Sequence, residues 1–278
     1  YLTADGGDDI DEQRTFTGVT AKGGVVYNLT RTLQVFASAF RSYEPPSMDE
    51  LTSDDPEDFN GLEEQDAFSY EAGLRGRVND WIGWDLTYFN TDIENEIINI
   101  EEPEENGFGG LFANVDETNH KGIEAGLDLN LFPQRFARSG HALTLRNVYN
   151  FNDFSFVDSG FLRVDGNQLA GMPTHVYRGG LRYAAADRWF AAVNVEMAAG
   201  DYFADHENEV SAPTYTLVGF SAGMRMSDHA ELYLSGENLT DANFAAGLTP
   251  VLEQNVQDGR IFSPGAGPSV YAGLRYRF

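Results

Sequence analysis

Cysteine is absent from all 278 residues, and that one absence excludes a disulfide framework, a thiolate metal site and a cysteine nucleophile together. Cations are scarce as well. Eighteen Lys and Arg stand against 44 Asp and Glu, a formal net charge of −26, which argues against a surface for nucleic-acid phosphates. No apolar run is long enough for a membrane-spanning helix, and no signal-peptide pattern opens the chain. A helical membrane protein is thereby excluded. A membrane β-barrel is not, because each of its strands carries a much weaker signal. Catalytic spacings are missing too: His120, His141, His175, His206 and His229 lie far apart, and none forms an HExxH or other metal-ligand pattern. GAGP near residue 265 lacks the strand and helix that a dinucleotide loop requires.

What the chain does contain is hydrophobic residues at 42%, aromatics at 13%, and a period of two, a composition too apolar for disorder throughout. In RWFAAVNVEM, Trp189, Ala191, Val193, Val195 and Met197 share one face, while Ala192, Asn194 and Glu196 share the other. In KGIEAGLDLNL, Ile123, Ala125, Leu127, Leu129 and Leu131 oppose Glu124, Asp128 and Asn130. Eleven such segments are read, near 15–28, 33–43, 66–79, 81–99, 114–131, 140–155, 172–185, 188–199, 213–226, 229–240 and 269–278. Each is close to the length that crosses a bilayer at a tilt. Helix is confined to about a turn around Ser47 to Leu51.

The connections alternate strictly in length. LTRT, VND, FPQRFARSG, AADR and MSDH are short; 44–65, 100–113, 156–171, 200–212 and 241–268 are long. A sandwich or propeller has no reason to keep every second loop short, whereas an up-and-down barrel with periplasmic turns and extracellular loops does. Charge follows the same division: the first long loop carries Glu44, Asp49, Glu50, Asp54, Asp55, Glu57, Asp58, Glu63, Glu64 and Asp66 with no Lys or Arg, while the turns hold Arg31, Arg135, Arg138 and Arg188. Tyr27, Tyr43, Trp81, Trp84, Tyr149, Trp189, Tyr215 and Tyr276 gather near strand ends, as in an aromatic girdle. The predicted fold is therefore an all-β, transmembrane, antiparallel up-and-down barrel. Eleven strands, read from the sequence, are half of the twenty-two found in plugged outer-membrane transporters.

That arrangement assigns the polar alternates to the lumen. Glu71, Arg75, Glu124, Asp128, Arg182, Arg225, Glu231, Arg275 and Arg277 form a mixed-sign set suited to a packed polar interior rather than a selectivity ring. Two loops are candidates for ligand contact. GDYFADHENE offers Tyr202, Phe203 and His206, whose rings could stack on a chelate; DDPEDFNGLEEQD could hold Ca2+ through carboxylate oxygens, although it lacks the glycine-positioned pattern of a calcium loop. The solvated-loop reading stands beside both. The first residue is Tyr1 and YLTADGGDDIDEQ reads as the middle of an acidic loop, so a fragment or processed product is expected.

In order along the chain, FASAFRSYEPPSMDEL, FSYEAGLRGRVNDWIGWDLTYFNTDIENEI, NHKGIEAGLDLNLF, GENLTDANF and YAGLRYRF resemble the C-terminal half of TonB-dependent outer-membrane receptors. Asn238, Leu239, Thr240 and Asp241 match that family's Asn-Leu-x-Asp motif, and Phe278 its terminal aromatic; Phe244 stands where Tyr is more usual. Glu71, Gly73, Gly122 and Glu124 match recurrent lumen-facing positions. The resemblance implies active uptake across the bacterial outer membrane of a bulky, scarce nutrient, most often a ferric siderophore or other metal chelate, with cobalamin or an oligosaccharide as alternatives. It implies no covalent chemistry. As partners it implies a plug domain and the first half of the barrel, the TonB-ExbB-ExbD system, outer-membrane lipid, and a barrel-assembly machinery that recognises Phe278 as an assembly signal. Two other readings stay open on the residues alone: a passive pore or adhesion barrel, and a secreted β protein that binds carbohydrate or calcium.

Overall fold

Long unbroken alternation pays no penalty at either face when one side meets an apolar phase and the other a polar one, and a single broad sheet results. The computed structural model describes residues 14–52, 61–100, 111–132, 140–186, 188–253 and 261–278. The strands are β1 (Ala21–Asn28), β2 (Leu33–Glu44), β3 (Gln65–Val78), β4 (Ile82–Asn99), β5 (Phe112–Asn130), β6 (His141–Asp158), β7 (His175–Ala185), β8 (Trp189–Ala199), β9 (Tyr215–Arg225), β10 (Ala230–Glu237), β11 (Ala245–Leu248), β12 (Phe262–Pro264) and β13 (Ser269–Tyr276). Ten of them, β1 to β10, pair antiparallel in sequence order, and β13 closes onto β10 to complete an eleven-stranded sheet. Among the described residues β1 and β13 have one neighbour each, so the sheet is open.

The first strand begins at Ala21 rather than near residue 15, and the last long connection is not plain loop. It contains the hairpin β11–β12, whose strands of four and three residues are too short to show a period. The helical turn α1 (Met48–Leu51) forms where expected. Ser47 caps it by accepting from the Glu50 N–H at 3.3 Å while the Glu50 carboxylate accepts from the Ser47 N–H at 2.6 Å, a reciprocal capping box.

Turn chemistry makes one end of the sheet tight. Asn79 takes the left-handed conformation at φ 53°, which its short polar side chain tolerates, and Trp81 donates back to the Val78 carbonyl at 3.3 Å. At the other end the long connections converge. Their apolar residues, together with the loop-side ends of β4, β5 and β6, make two buried clusters. One joins Ile98, Val115, Phe156, Leu162, Val164 and Leu169; the other joins Tyr202, Ala204, Ala212, Val251 and Ile261.

Candidate functional site

Register decides which residues share a face. Phe36, Gly73, Thr87, Glu124, Asn150 and Val176 lie directly opposite one another from β2 to β7, and one residue along, Val35, Leu74, Leu86, Ala125, Tyr149 and Tyr177 do the same on the other face. Following the pairing through β13 places Glu71, Arg75, Glu124, Asp128, Arg182, Arg225, Glu231 and Arg275 on the first face; Arg277, past the end of β13, continues its alternation. They do not form one continuous network. Ser38 donates to Glu71 at 2.7 Å, Arg146 pairs with Asp128 at 3.3 Å, Arg75 donates to Gln34 at 2.7 Å, and Arg225 and Arg275 share Glu231 at 3.8 and 3.4 Å. Arg182 lies over the ring of Phe190 instead, 4.5 Å from its centroid.

Aromatic rings on this face lie across glycines of the neighbouring strand. A methyl group at Gly73 would run into Phe36, and one at Gly122 into the Phe151 carbonyl oxygen and Phe89. These two glycines therefore serve close approach: each leaves room for a ring to lie flat on the sheet. The opposite face is apolar and open. Leu74, Leu86, Leu127, Leu181, Val193 and Leu274 each expose more than a third of their surface there, on strand after strand. A face of this size and character has no stable place in water and fits a lipid belt. Toward the long loops it turns polar at Asn90, Asp92, Asn119, Lys121 and Asp153, held by Asn119 donating to Asp92 at 2.6 Å and Lys121 pairing with Asp153 at 3.3 Å. Tyr70, Tyr88 and Tyr149 stand near that transition, each OH-bearing ring spanning apolar and polar surroundings.

The ring residues proposed for ligand stacking sit elsewhere than expected. Tyr202 and His206 are buried, with Phe203 half-buried between them. His206 meets Phe156 edge to face at 5.2 Å, its Nδ1 accepts from the Ala170 N–H at 3.3 Å, and its own N–H donates to the Val251 carbonyl at 2.9 Å. Burial drives its pKa down to about 4 against the opposing pull of Glu96 and Asp205, so the ring is neutral. In this arrangement Tyr202 and His206 are loop core, not loop surface. Sequence reasoning missed the residues that tie the loops together. Asp205, nearly fully buried, accepts from the N–H groups of Glu209 and Val210 at 3.0 Å each through Oδ1, and Asn208, left-handed at φ 62°, exchanges hydrogen bonds with the backbone of Gln168 at 2.7 and 2.8 Å. Nothing in the spacing of HENE announces a partner forty residues upstream.

The calcium candidate DDPEDFNGLEEQD falls mostly on residues outside the described ones. Among the described residues no group of three His, Asp or Glu side chains is placed to hold a metal ion. Phe278 packs its ring on Tyr276 at 5.2 Å and is otherwise exposed, just beyond the end of β13.

An eleven-stranded antiparallel sheet with one polar face, one apolar face, tight turns at one end and packed long loops at the other is what the comparison with known proteins also finds. Residues 2–239 match the family model described as TonB dependent receptor-like, beta-barrel. The chain belongs to the TonB-dependent receptor β-barrel family. It is 24% identical over 263 residues to the vitamin B12 transporter BtuB of Photobacterium profundum, covering 94% of this chain and 38% of that protein. Among solved structures, the ferric enterobactin receptor PfeA of Pseudomonas aeruginosa, in a Q482A form bound to enterobactin, superposes with a TM-score of 0.69 at 19% identity over 92% of this chain and 40% of that one. The siderophore receptor PiuA of Acinetobacter baumannii gives 0.69 at 16% identity over 92% and 35%. The likeness to these structures shows the fold. The chain thus spans a little over a third of the curated receptor it matches.

Proposed function

We propose that this chain is the C-terminal half of a TonB-dependent receptor barrel that carries a bulky, scarce nutrient across the bacterial outer membrane, a ferric siderophore or other metal chelate before cobalamin or an oligosaccharide. The observation that carries the reading is the two-faced sheet inside a family of TonB-dependent receptors: an exposed apolar belt outward, a charged wall inward. Similar proteins are named for siderophores and for vitamin B12. On this reading β1 and β13 pair with strands of the first half of the barrel, because an open edge within a bilayer leaves backbone groups unsatisfied at several kcal/mol each. A plug domain fills the lumen, the TonB-ExbB-ExbD system supplies energy from the inner membrane, and the barrel-assembly machinery reads Phe278. No bond of the cargo is made or broken.

The test is uptake by the complete protein in its native host. Cells with the gene deleted are supplied with radiolabelled iron as several ferric chelates and with labelled cyanocobalamin, with and without TonB. Loss of one cargo on deletion, and equal loss without TonB, is expected. Uptake that persists without TonB favours the passive pore. Unchanged uptake of every chelate tested removes iron as the cargo.

A further inference from the structure

The connection from β10 to β13 does not stay beside the strands it joins. Its residues 250–252 reach the end of β4, six strand spacings from β10, roughly 29 Å along the sheet at about 4.8 Å each. There the Leu252 N–H donates to the Ile100 carbonyl at 3.2 Å, and the Asn99 side-chain amide donates to the Pro250 carbonyl at 3.3 Å. The same residues also pair with the connection between β8 and β9. Val251 lies parallel to Asp205, the His206 N–H donates to the Val251 carbonyl at 2.9 Å, and the Glu207 N–H donates to the Leu252 carbonyl at 3.0 Å. From the connection between β6 and β7, Gly171 comes so close that a methyl group on it would sit 2.7 Å from Pro250. Ile100 and Leu252 pack on the cluster that holds Phe156, and Phe156 continues the inward alternation of Asn150, Asn152 and Phe154. The crossing therefore covers the inward face.

A segment built to open has few buried apolar contacts and backbone groups turned to water. This crossing has the opposite character. Val251 and Ile261 are 2% and 1% exposed, and four hydrogen bonds tie residues 250–252 to two other elements. Two buried acceptors at the crossing, Asn99 Oδ1 and Asp205 Oδ2, have no partner among the described residues, which the four bonds made and the two branched side chains buried outweigh. The connection between β2 and β3 is fastened elsewhere. The Asn114 side chain accepts from the Glu63 N–H at 2.8 Å and donates to the Glu63 carbonyl at 3.0 Å, and the Ile97 N–H donates to Gln65 Oε1 at 2.9 Å. Its buried Leu51 and Leu62 belong to neither loop cluster.

We infer that the connections following β6, β8 and β10 form one fixed roof over the inward face, braced against the end of β4, and that cargo enters beside this roof on the β1–β3 side without lifting it. The inference rests on the receptor reading above. Residues 250–252 are then a brace: they hold three connections at one height over the inward face whether or not cargo is present.

Two measurements on the complete protein test this. The first is hydrogen exchange in detergent, with and without the chelate or cyanocobalamin whose uptake is lost on deletion. The amides of His206, Glu207 and Leu252 are expected to exchange at least about 1,000-fold more slowly than in an unstructured peptide, and equally slowly with cargo bound. Exchange at the unstructured rate, or protection that changes about tenfold with cargo, overturns the roof. The second exploits a chain without cysteine. Ile100→Cys combined with Leu252→Cys places a disulfide across the brace, its formation checked by peptide mass mapping. TonB-dependent uptake by the oxidised variant should stay within about twofold of the reduced one, whereas a tenfold loss restored by reductant shows that the segment must lift. If the disulfide does not form, exchange decides alone. Protected amides in an unsubstituted protein that takes up nothing through TonB are a different result: the roof is rigid, and the receptor reading fails, taking the cargo route with it.

Discussion

At neutral pH the ring of His206 is an uncharged member of an apolar cluster, wedged against Phe156 and bonded to the Ala170 N–H. Its pKa of about 4 in the folded loops lies below the ordinary value of 6.5, so the sign of the pH effect follows. Above pH 6.5 neither the folded nor the opened loop binds the proton and stability is flat. Between 6.5 and about 4 only the opened loop binds it, and stability falls as pH falls. The loss is roughly 2 kcal/mol by pH 5, at about 1.4 kcal/mol for each unit below 6.5. Proteolysis of residues 200–212 should therefore accelerate on going from pH 7.5 to pH 5, and His206→Gln should flatten that dependence. A loop equally resistant at both pH values contradicts it. The same side chain marks a limit of reading residues singly. A histidine that follows two aromatics in a long acidic loop looks like a ligand contact, and what makes it core is Phe156 fifty residues earlier.

Among elements, the loops behave as packed structure. The Gly171 N–H donates to the Phe203 carbonyl at 2.9 Å, the Asn167 side-chain amide to the His206 carbonyl at 3.0 Å, and the Leu252 N–H to the Ile100 carbonyl at 3.2 Å, so hydrogen bonds join connections that are far apart in sequence. Phe156 is buried in the first cluster at the loop end of β6, and its ring meets His206, whose backbone N–H donates to the carbonyl of Val251 in the second. Phe156→Ala should cost about 3–5 kcal/mol through the cavity it leaves. Its diagnostic outcome is spread: hydrogen exchange should quicken at Leu169 and also at Ala204 and Ala212, which belong to the second cluster. Exchange that changes at Leu169 alone means the clusters open separately. The strands themselves were legible from alternation, to within a few residues at most ends. The hairpin β11–β12 was not, because seven residues in two pieces carry no measurable period and depend on their mutual pairing.

For the whole molecule the decisive quantity is which face meets lipid. Val193 lies between Leu181 and Phe220 on the apolar side, and Leu127 between Trp84 and Asn147 on the same side. Val193→Arg and Leu127→Arg each place a guanidinium toward the hydrocarbon, at about 2–4 kcal/mol near mid-bilayer. The folded, heat-modifiable fraction in outer membranes should drop for both, whereas Asn194→Arg on the polar face should assemble. Normal assembly of the first two reverses the facing of the sheet.

The period of two, the strict alternation of short and long connections and the acidity of the long ones are local properties of the chain, and they alone determined an up-and-down barrel sheet with its facing. A strand's side chains must point to opposite sides whatever its neighbours are, so the pattern is readable residue by residue. Only the tertiary structure decided the rest: that the long connections and the strand ends beside them form two hydrophobic clusters, that Tyr202 belongs to one and His206 is buried against Phe156 of the other, and that Arg182, Arg225 and Arg275 meet at one groove with Glu231. Those outcomes depend on contacts between residues tens of positions apart. No periodicity along the chain encodes them, because what selects them is the burial of one loop's apolar side chains by another and the lateral register of strands.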